Sequence, residues 1–387
     1  MNPELSQFAA RLRELIQGRD AALRCPCPAG RNQRGFASNF PSPDAALGDG
    51  DGAARHPYHD SEFNSLALEL FGLQFKFNPA YRKICEARKL TPDVVEHWTQ
   101  IPAVPTATFK ELELTSFTPE ERTAIFHSSG TTEQIPSRHF HNAESLAVYE
   151  ASLWSWFQLH FGNEGELVFL TPNQNAAPHS SLVHMFETVR QKFGLPESAF
   201  TGNISGDGTW VLDFTATIKK LNSACDLKVP LTLLGTAFSF VHLLDYLAEN
   251  NLQFCLPKNS RAMETGGYKN RSRVMSKAEL HQLIKLRLGV SRVHCEYGMS
   301  ELSSQAYEQE VRRFDFPSWA RVQIISPETN REVAEGETGI IRVFDLANVF
   351  SVAAIQTEDL GVRRGDGFEL IGRAQLAEPR GCSLMTA

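Results

Sequence analysis

After Pro105, short apolar runs alternate with stretches in which apolar side chains recur at helical spacing. The apolar runs include TAIFH (123–127), GELVFLTP (165–172) and VPLTLLGT (229–236). The helical stretches are Glu144–Leu159, Ser180–Phe193, Phe240–Asn250 and Lys277–Leu288. Short apolar runs match buried strands, and strands that alternate with helices form a parallel sheet covered by helices. The sequence therefore predicts an α/β fold with a mostly parallel sheet flanked by helices.

Other segments flank this α/β core, which we place at residues 61–316. Residues 1–24 carry apolar residues at helical spacing and predict an N-terminal helix. Residues 25–60 are dense in Pro, Gly, Ala and Asp, which predicts a long loop. Short strand patterns separated by Gly and Pro fill residues 317–387, where we expect a small β-rich subdomain and a tail.

The segment TPDVVEHW (91–98) has the pattern of a helix N-terminus. Thr91 is a residue type that caps helices, because its side-chain oxygen accepts from an exposed amide. Pro92 fits the first helical position, where no amide donor is needed. The segment therefore predicts a helix that begins after Thr91.

The charge balance and the cysteines exclude several classes of protein. The 387 residues include 38 Lys and Arg and 45 Asp and Glu, which gives a formal net charge of −7. A mildly acidic chain lacks the basic surface that binds nucleic acid or anionic membranes. No apolar run approaches the ~20 residues that span a bilayer, and no signal-peptide pattern is present. The seven cysteines are scattered and odd in number, so we expect reduced thiols and a cytoplasmic protein.

The strongest local motif is IFHSSGTTEQIPSRH, residues 125–139. An apolar strand leads into a cluster of small residues, Ser128, Ser129, Gly130, Thr131 and Thr132. Glycine permits a sharp turn close to a ligand, backbone N–H groups point inward, and hydroxyls add donors without bulk. Arg138 supplies a cation nearby. The motif predicts a polyphosphate-binding loop that is not a Walker loop; the alternative is a Ser/Thr-rich turn that enters the helix near Glu144.

Four further motifs follow this loop. They are METGGYK (263–269), HCEYGMSEL (294–302), QTEDLGV (356–362) and FELIGR (368–373). In order and spacing, the five motifs resemble those of the adenylate-forming superfamily of acyl and aryl ligases. Three more segments narrow the resemblance to the acyl-protein synthetase subunit of the bacterial luminescence fatty-acid reductase complex. They are IPAVPTATFK (101–110), PHSSLVHMF (178–186) and the terminal GRAQLAEPRGCSL.

This resemblance implies the fold of the large domain of adenylate-forming ligases and a reaction in two steps. A fatty acid substrate reacts with ATP to give an acyl-adenylate and pyrophosphate, and the acyl group then passes to a cysteine of the synthetase. ATP and Mg²⁺ are the implied cofactors. Acyl-CoA reductase-type and thioesterase-type proteins are the implied partners.

The resemblance also implies a role for each motif residue. The loop from Ser128 to Thr132 would hold the β- and γ-phosphates, Arg138 would add positive charge, and Glu301 would be the ligand of Mg²⁺. The remaining residues would line the nucleotide pocket. Tyr297 would stack on adenine beside Gly298, and the backbone of Gly266 and Gly267 would line the base. Asp359 would accept hydrogen bonds from the ribose hydroxyls, and Arg373 would contact the ribose or phosphate. Each has a structural alternative: Glu301 as a helix cap, Tyr297 as a core residue, and Asp359 as the start of a turn.

Cys382 is the expected acyl acceptor. The resemblance implies a chain that stops before the lysine-bearing domain of the larger ligases and is acylated on a cysteine near its C-terminus, a place that Cys382 occupies. A thiolate that attacks the mixed anhydride releases AMP and leaves a thioester. The alternative is a thiol without function in a terminal tail. A metal site at Cys25 and Cys27 is disfavoured, because no second Cys/His pair has zinc spacing with them.

Two other functions remain open from the sequence. A carboxylate–CoA ligase of the phenylacetate type shares the entry segment at residues 101–110. A degenerate nucleotide-binding subunit is the other alternative, since Glu133 stands where such ligases usually have glycine and Arg138 replaces the usual lysine.

Overall fold

The computed structural model describes residues 2–24, 60–128, 135–163, 165–266, 275–310 and 312–373. Its helices are α1 (Pro3–Arg24), α2 (Asp60–Phe77), α3 (Pro79–Ala87), α4 (Thr108–Glu111), α5 (Ala143–Phe161), α6 (Ser181–Phe193), α7 (Phe214–Leu227), α8 (Ala237–Glu249) and α9 (Lys277–Leu288). Its strands are β1 (Val104–Pro105), β2 (Ala124–His127), β3 (Arg138–His141), β4 (Glu166–Phe169), β5 (Gly202–Ile204), β6 (Trp210–Leu212), β7 (Leu231–Thr236), β8 (Arg261–Thr265), β9 (Arg292–Tyr297), β10 (Ala306–Glu310), β11 (Arg313–Asp315), β12 (Ala320–Ile325), β13 (Thr338–Asp345), β14 (Ala354–Arg364) and β15 (Gly367–Arg373). The four helical stretches predicted in the core correspond to α5, α6, α8 and α9.

A parallel sheet lies at the centre of the molecule. Strands β4, β7, β8 and β9 are hydrogen-bonded in that order and run parallel. Helix α8 connects β7 to β8, and α9 precedes β9. The first five residues of β7 are buried, as expected for a strand covered on both faces. The alternation of apolar runs and helices therefore predicts this part of the fold correctly.

The same sheet continues beyond β9 with antiparallel strands. Strand β10 pairs antiparallel with β9, and the order then runs β11, β15, β14, β13 and β12. The sheet is therefore mixed rather than mostly parallel, and the strands after residue 317 are hydrogen-bonded to the parallel strands through β10 and β11. The pairing of Phe314 on β11 with Phe368 on β15 makes this connection.

One local prediction is right only in part, and another is wrong. TAIFH forms the predicted strand, β2, but the strand is mostly half-buried and pairs with β3 in a separate hairpin instead of joining the large sheet. The segment 91–98 contains turns, and only Trp98–Gln100 forms a short 3-10 helix. The Gln100 side-chain oxygen accepts from the amides of Glu96 (2.8 Å) and His97 (3.0 Å), which satisfies donors that an α-helix would otherwise use.

A buried glutamine on helix α2 forms hydrogen bonds with the turn between β13 and β14. Gln74 donates to the carbonyl oxygens of Asn348 (2.8 Å) and Val349 (3.2 Å) and accepts from the Ala353 amide (3.0 Å). Its side chain is fully buried. Buried amides of this kind stabilise a fold only when each polar atom has a partner.

We expect Gln74→Leu to lower the free energy of unfolding by about 2–4 kcal/mol, because it removes three buried hydrogen bonds and leaves the Val349 carbonyl and the Ala353 amide without these partners. Urea unfolding measures the change. Gln191→Leu is the control, since the exposed Gln191 side chain donates to the side chain of Glu187 on the same helix, and a shift within about 0.5 kcal/mol is expected. An equal shift for the two variants would contradict the role given to Gln74.

Candidate active site

The two ends of the predicted phosphate loop are joined by hydrogen bonds. The loop connects β2 to β3, so it is the turn of a hairpin. The Ser128 amide donates to the Ser137 carbonyl oxygen (3.3 Å), and the Ser137 amide donates to Ser128 Oγ (2.9 Å). The other predicted loop residues lie outside the described part of the chain: Ser129, Gly130, Thr131 and Thr132. Ser128 and Ser137 thus form the base of the loop.

Glu301 lies against this base. The Ser300 hydroxyl donates to Glu301 Oε2 (3.0 Å) and lies 3.4 Å from Ser137 Oγ. Glu301 is only 5% exposed. Burial raises the pKa of its carboxyl group, and a hydrogen bond from Ser137 opposes that rise. The structure therefore brings Glu301 and the loop base together, although they are far apart in the sequence.

Tyr297 connects to the second predicted carboxylate. Its hydroxyl donates to Asp359 Oδ2 (2.9 Å). Burial raises the pKa of this hydroxyl, and the charges of Asp359 and Glu301 raise it further, which places Tyr297 near both carboxylates. The ring is 6% exposed and meets the Phe368 ring edge-on, with centroids 5.2 Å apart. The Tyr297 ring is thus packed as part of the core, while its hydroxyl bonds to Asp359.

Arg373 pairs with Asp359 across strands β14 and β15. Burial raises the pKa of the Asp359 carboxyl, whereas the Tyr297 hydrogen bond and the charge of Arg373 lower it. The pair lies at the end of β15. Asp359, Tyr297 and Arg373 therefore form one polar cluster at the edge where β9 ends.

The predicted glycines follow the ends of β8 and β9. Gly266 has a φ of +73°, a conformation that favours glycine. A Cβ atom at Gly298 would lie 2.4 Å from Glu296 Oε1, so any side chain there would displace Glu296. Gly267 lies outside the described residues.

Arg138 occupies the first position of β3, beside the loop. Its guanidinium lies 3.6 Å from Glu113 Oε1 and 5.8 Å from the centre of the Phe140 ring. The side chain is about one-third exposed, at 32%. Arg138 thus forms an ion pair with Glu113. Its predicted role in catalysis stays a prediction.

Asp345 is a positioning residue that sequence reasoning missed. Its carboxylate accepts from the amides of Ser303 (2.9 Å) and Ser304 (2.8 Å), from Ser304 Oγ (2.7 Å) and from the Ala347 amide (2.9 Å). Burial nevertheless raises its pKa to about 6. These bonds fix the loop that directly follows Glu301. The available signal was an aspartate inside the apolar run RVFDLANVF (342–350), because a charge in such a run must be satisfied internally.

Asn348 stabilises the same loop, since its side-chain amide donates to the Glu301 carbonyl oxygen (2.9 Å).

The predicted acyl acceptor Cys382 lies outside the described residues, as do Cys25 and Cys27. Among the described residues, no helix is both long and apolar enough to cross a membrane.

Residues 57–387 match the family described as acyl-protein synthetase, LuxE. The chain belongs to the acyl-protein synthetase family. The family predicted from the motifs is therefore confirmed. It is a family of ligases, which supports an enzyme over a degenerate binding subunit.

Two curated relatives are long-chain-fatty-acid–luciferin-component ligases. The Aliivibrio fischeri protein is 26% identical over 346 residues, which cover 84% of this chain and 87% of the relative. The Vibrio harveyi protein is 23% identical over 320 residues, which cover 79% and 82% respectively. Both similarities extend over most of the two chains compared.

Solved structures of adenylate-forming ligases share the fold. An open conformation of 2-hydroxyisobutyryl-CoA ligase, in complex with 2-HIB-AMP and CoA, superposes with a TM-score of 0.62 at 14% identity. The match covers 81% of this chain and 74% of that protein. The same ligase in its postadenylation state gives a TM-score of 0.61. The predicted adenylate-forming fold is therefore confirmed.

Glu296 provides a test of the electrostatics at the end of β9. Its carboxyl group is buried and accepts a hydrogen bond from Thr265 Oγ1. Burial raises the pKa of Glu296 to about 7, above the ordinary value of a glutamate. The folded state therefore binds a proton that the unfolded state has released between about pH 4.5 and pH 7.

We expect the free energy of unfolding to fall as pH rises through this window, and Glu296→Gln to remove that part of the dependence. The difference in the free energy of unfolding between wild type and Glu296→Gln should change by on the order of 2 kcal/mol between pH 5 and pH 8. Urea unfolding at several pH values measures it. Glu249→Gln, an exposed position, should keep the wild-type dependence. A Glu296→Gln curve parallel to that of the wild type would contradict the shifted pKa.

Proposed function

We propose that this protein activates a long-chain fatty acid with ATP and then carries the acyl group as a thioester on Cys382. The contact between Glu301 and the base of the serine-and-threonine loop supports this proposal, because a buried carboxylate lies beside the loop that we propose to hold the phosphates of ATP. Family membership and the names of the two curated ligases support the substrate class.

In the first step, a carboxylate oxygen of the fatty acid attacks the α-phosphorus of ATP. The new bond joins that oxygen to phosphorus, and pyrophosphate leaves with the electron pair of the broken phosphorus–oxygen bond. Reactions of this kind depend on positioning and on stabilisation of negative charge. The loop from Ser128 to Thr132 would hold the β- and γ-phosphates through its backbone amides and hydroxyls, with positive charge from Arg138.

The donor set at Glu301 fits Mg²⁺. A buried carboxylate flanked by the hydroxyls of Ser300 and Ser137 offers hard oxygen ligands, which this cation prefers together with phosphate oxygens. When bound, Mg²⁺ neutralises phosphate charge. Asp345 and Asn348 keep the loop of Glu301 in place, so the carboxylate is positioned before ATP arrives.

The polar cluster at the end of β9 would bind the nucleoside. Asp359 offers carboxylate oxygens to the ribose hydroxyls, and the Tyr297 hydroxyl fixes its orientation. Arg373 adds a cation beside Asp359 for ribose or phosphate. The Tyr297 ring is packed edge-on against the Phe368 ring, so its position is fixed. Adenine would therefore contact a rigid aromatic ring. The backbone at Gly266, Gly267 and Gly298 would line the base.

In the second step, the Cys382 thiolate attacks the carbonyl carbon of the acyl-adenylate. A carbon–sulfur bond forms, the bond from carbon to the phosphate oxygen breaks, and AMP leaves with that electron pair, while the thiol proton passes to solvent. A thioester is reactive enough to pass its acyl group to a further acceptor. A reductase-type partner would receive it, in keeping with the luciferin-component ligases among the relatives.

We expect Glu301→Gln to lower fatty-acid-dependent exchange of pyrophosphate into ATP by about a hundred-fold, because a neutral amide binds the cation poorly. Exchange of labelled pyrophosphate in the purified full chain measures the first step alone. Glu249→Gln should exchange at the wild-type rate. Wild-type exchange by Glu301→Gln would refute the role of this carboxylate, and no exchange by the wild type with any fatty acid would refute adenylation itself.

We expect Cys382→Ser to lose the hydroxylamine-labile acyl label while it keeps the pyrophosphate exchange. Labelled fatty acid and ATP, followed by neutral hydroxylamine, measure the thioester. Cys255→Ser, at an exposed cysteine, is the matched control and should label normally. A labile label that persists in Cys382→Ser would move the acceptor elsewhere. Efficient formation of acyl-CoA by the wild type would instead favour the CoA-ligase alternative.

A further inference from the structure

Three side chains with metal-binding atoms converge on one face of the sheet, away from Glu301. They are Glu264 on β8, Cys295 on β9 and His281 on α9. Glu264 and Cys295 are directly paired across the two strands, so their side chains share the same face. Helix α9 covers this face and contributes His281. Strand pairing and helix packing together therefore bring the three groups to one place.

The ligand atoms are separated by nearly the distances of a tetrahedral metal site. Cys295 Sγ lies 3.0 Å from Glu264 Oε1 and 3.5 Å from His281 Nε2, and the last two atoms are 3.4 Å apart. Around a tetrahedral zinc ion with bonds of about 2.0–2.3 Å, neighbouring ligand atoms lie about 3.3–3.7 Å apart. The three atoms form one triangular face of such a tetrahedron, and only the sulfur–oxygen edge is short.

The electrostatics of the cluster also favour a cation. Cys295 is 2% exposed and Glu264 is 7% exposed, so the carboxylate is buried beside a thiol. Burial and the charge of Glu264 both raise the pKa of the Cys295 thiol. Lys277 opposes this rise, because its charge lowers the pKa of the Cys295 thiol, and its ammonium group is also paired with Glu308 (3.0 Å). A divalent cation would offset the negative charge that a buried carboxylate and a deprotonated thiol bring to this face of the sheet.

We propose that Glu264, His281 and Cys295 bind Zn²⁺, with water as the fourth ligand. On binding, the thiol proton of Cys295 is released to solvent and a sulfur–zinc bond forms, while the nitrogen of His281 and one oxygen of Glu264 complete the protein ligands. The divalent ion and the lost proton bring the net charge of the cluster to zero. His281, with 17% of its side chain exposed, is the ligand most accessible to solvent.

This site differs in chemistry and place from the one at Glu301. Thiolate and imidazole ligands select zinc and similar transition cations, whereas Mg²⁺ is held by oxygen atoms. The neighbouring residues Thr265 and Glu296 point to the opposite face of the sheet, because side chains alternate along a strand. Zinc would therefore join β8, β9 and α9 behind the nucleotide pocket, and its role would be structural. The inference does not depend on the proposed reaction.

The test is metal binding by the full chain, without any measurement of activity. The protein is stripped with a chelator and dialysed against micromolar Zn²⁺, and its metal content is measured by mass spectrometry. We expect about one zinc ion per chain, with affinity that falls at lower pH as protons compete for the ligands. Loading with Co²⁺ should give a thiolate-to-cobalt charge-transfer band in the near ultraviolet.

Variants assign the site. Cys295→Ser should lose the cobalt band, and His281→Gln should weaken zinc binding at least about tenfold. Cys85→Ser is the matched control, since Cys85 is also a buried cysteine and lies outside the cluster. The double variant Cys25→Ser/Cys27→Ser tests the other cysteine pair, and both controls should bind zinc as the wild type does. Because Cys295→Ser changes a buried position, circular dichroism checks its folding, and partly exposed His281→Gln provides the independent test.

Three results would overturn the proposal. Zinc absent from the dialysed wild type would leave a hydrogen-bonded Glu–Cys–His cluster that needs no metal. Zinc retained at full affinity in His281→Gln would place the site elsewhere. Zinc lost only in Cys25→Ser/Cys27→Ser would assign it to that pair instead.

Discussion

The buried carboxylate of Asp345 is the interaction on which the candidate site depends. It lies at the end of β13 and accepts four hydrogen bonds, three of them from Ser303 and Ser304 in the loop that follows β9. A carboxylate without water is tolerated only when its lone pairs are filled, so the loop has one favourable conformation. That conformation sets Glu301 against Ser128 and Ser137, the base of the predicted phosphate loop. Asp345, in the antiparallel part of the sheet, thus holds Glu301 in position just beyond the end of the parallel strand β9.

The change of strand direction at β9 brings distant motifs together. Parallel strands end at one edge of a sheet, and the antiparallel strands that follow return to that edge. Tyr297, at the end of β9, therefore reaches Asp359 on β14, and Asp359 faces Arg373 on β15. A sheet that ended at β9 would leave Tyr297 without its partner. The mixed sheet explains why motifs spread over many residues form one polar cluster.

Periodicity and motif order predicted much of this structure, and long-range contacts account for the rest. The alternation after Pro105 predicts the helices and the parallel strands, because it records which side chains face the core. The helix expected at 91–98 does not form, because the Gln100 side-chain oxygen accepts hydrogen bonds from the amides of Glu96 and His97. Apolarity alone did not show that β2 pairs with β3, since any apolar run looks equally suited to a sheet. Asp345 was missed because its partners lie about forty residues away in the chain.

The anchoring of β15 limits how far Cys382 can travel. Arg373, the last described residue, is held in the sheet opposite Asp359, and Cys382 is the ninth residue after it. A chain of nine residues extends at most about 30 Å, whatever its conformation. The thiol is therefore confined to that distance from Arg373, beside the proposed nucleotide site, and its effective concentration there is in the millimolar range typical of short tethers. Under the proposed function, a partner that accepts the acyl group from Cys382 must approach within that distance of the strand edge.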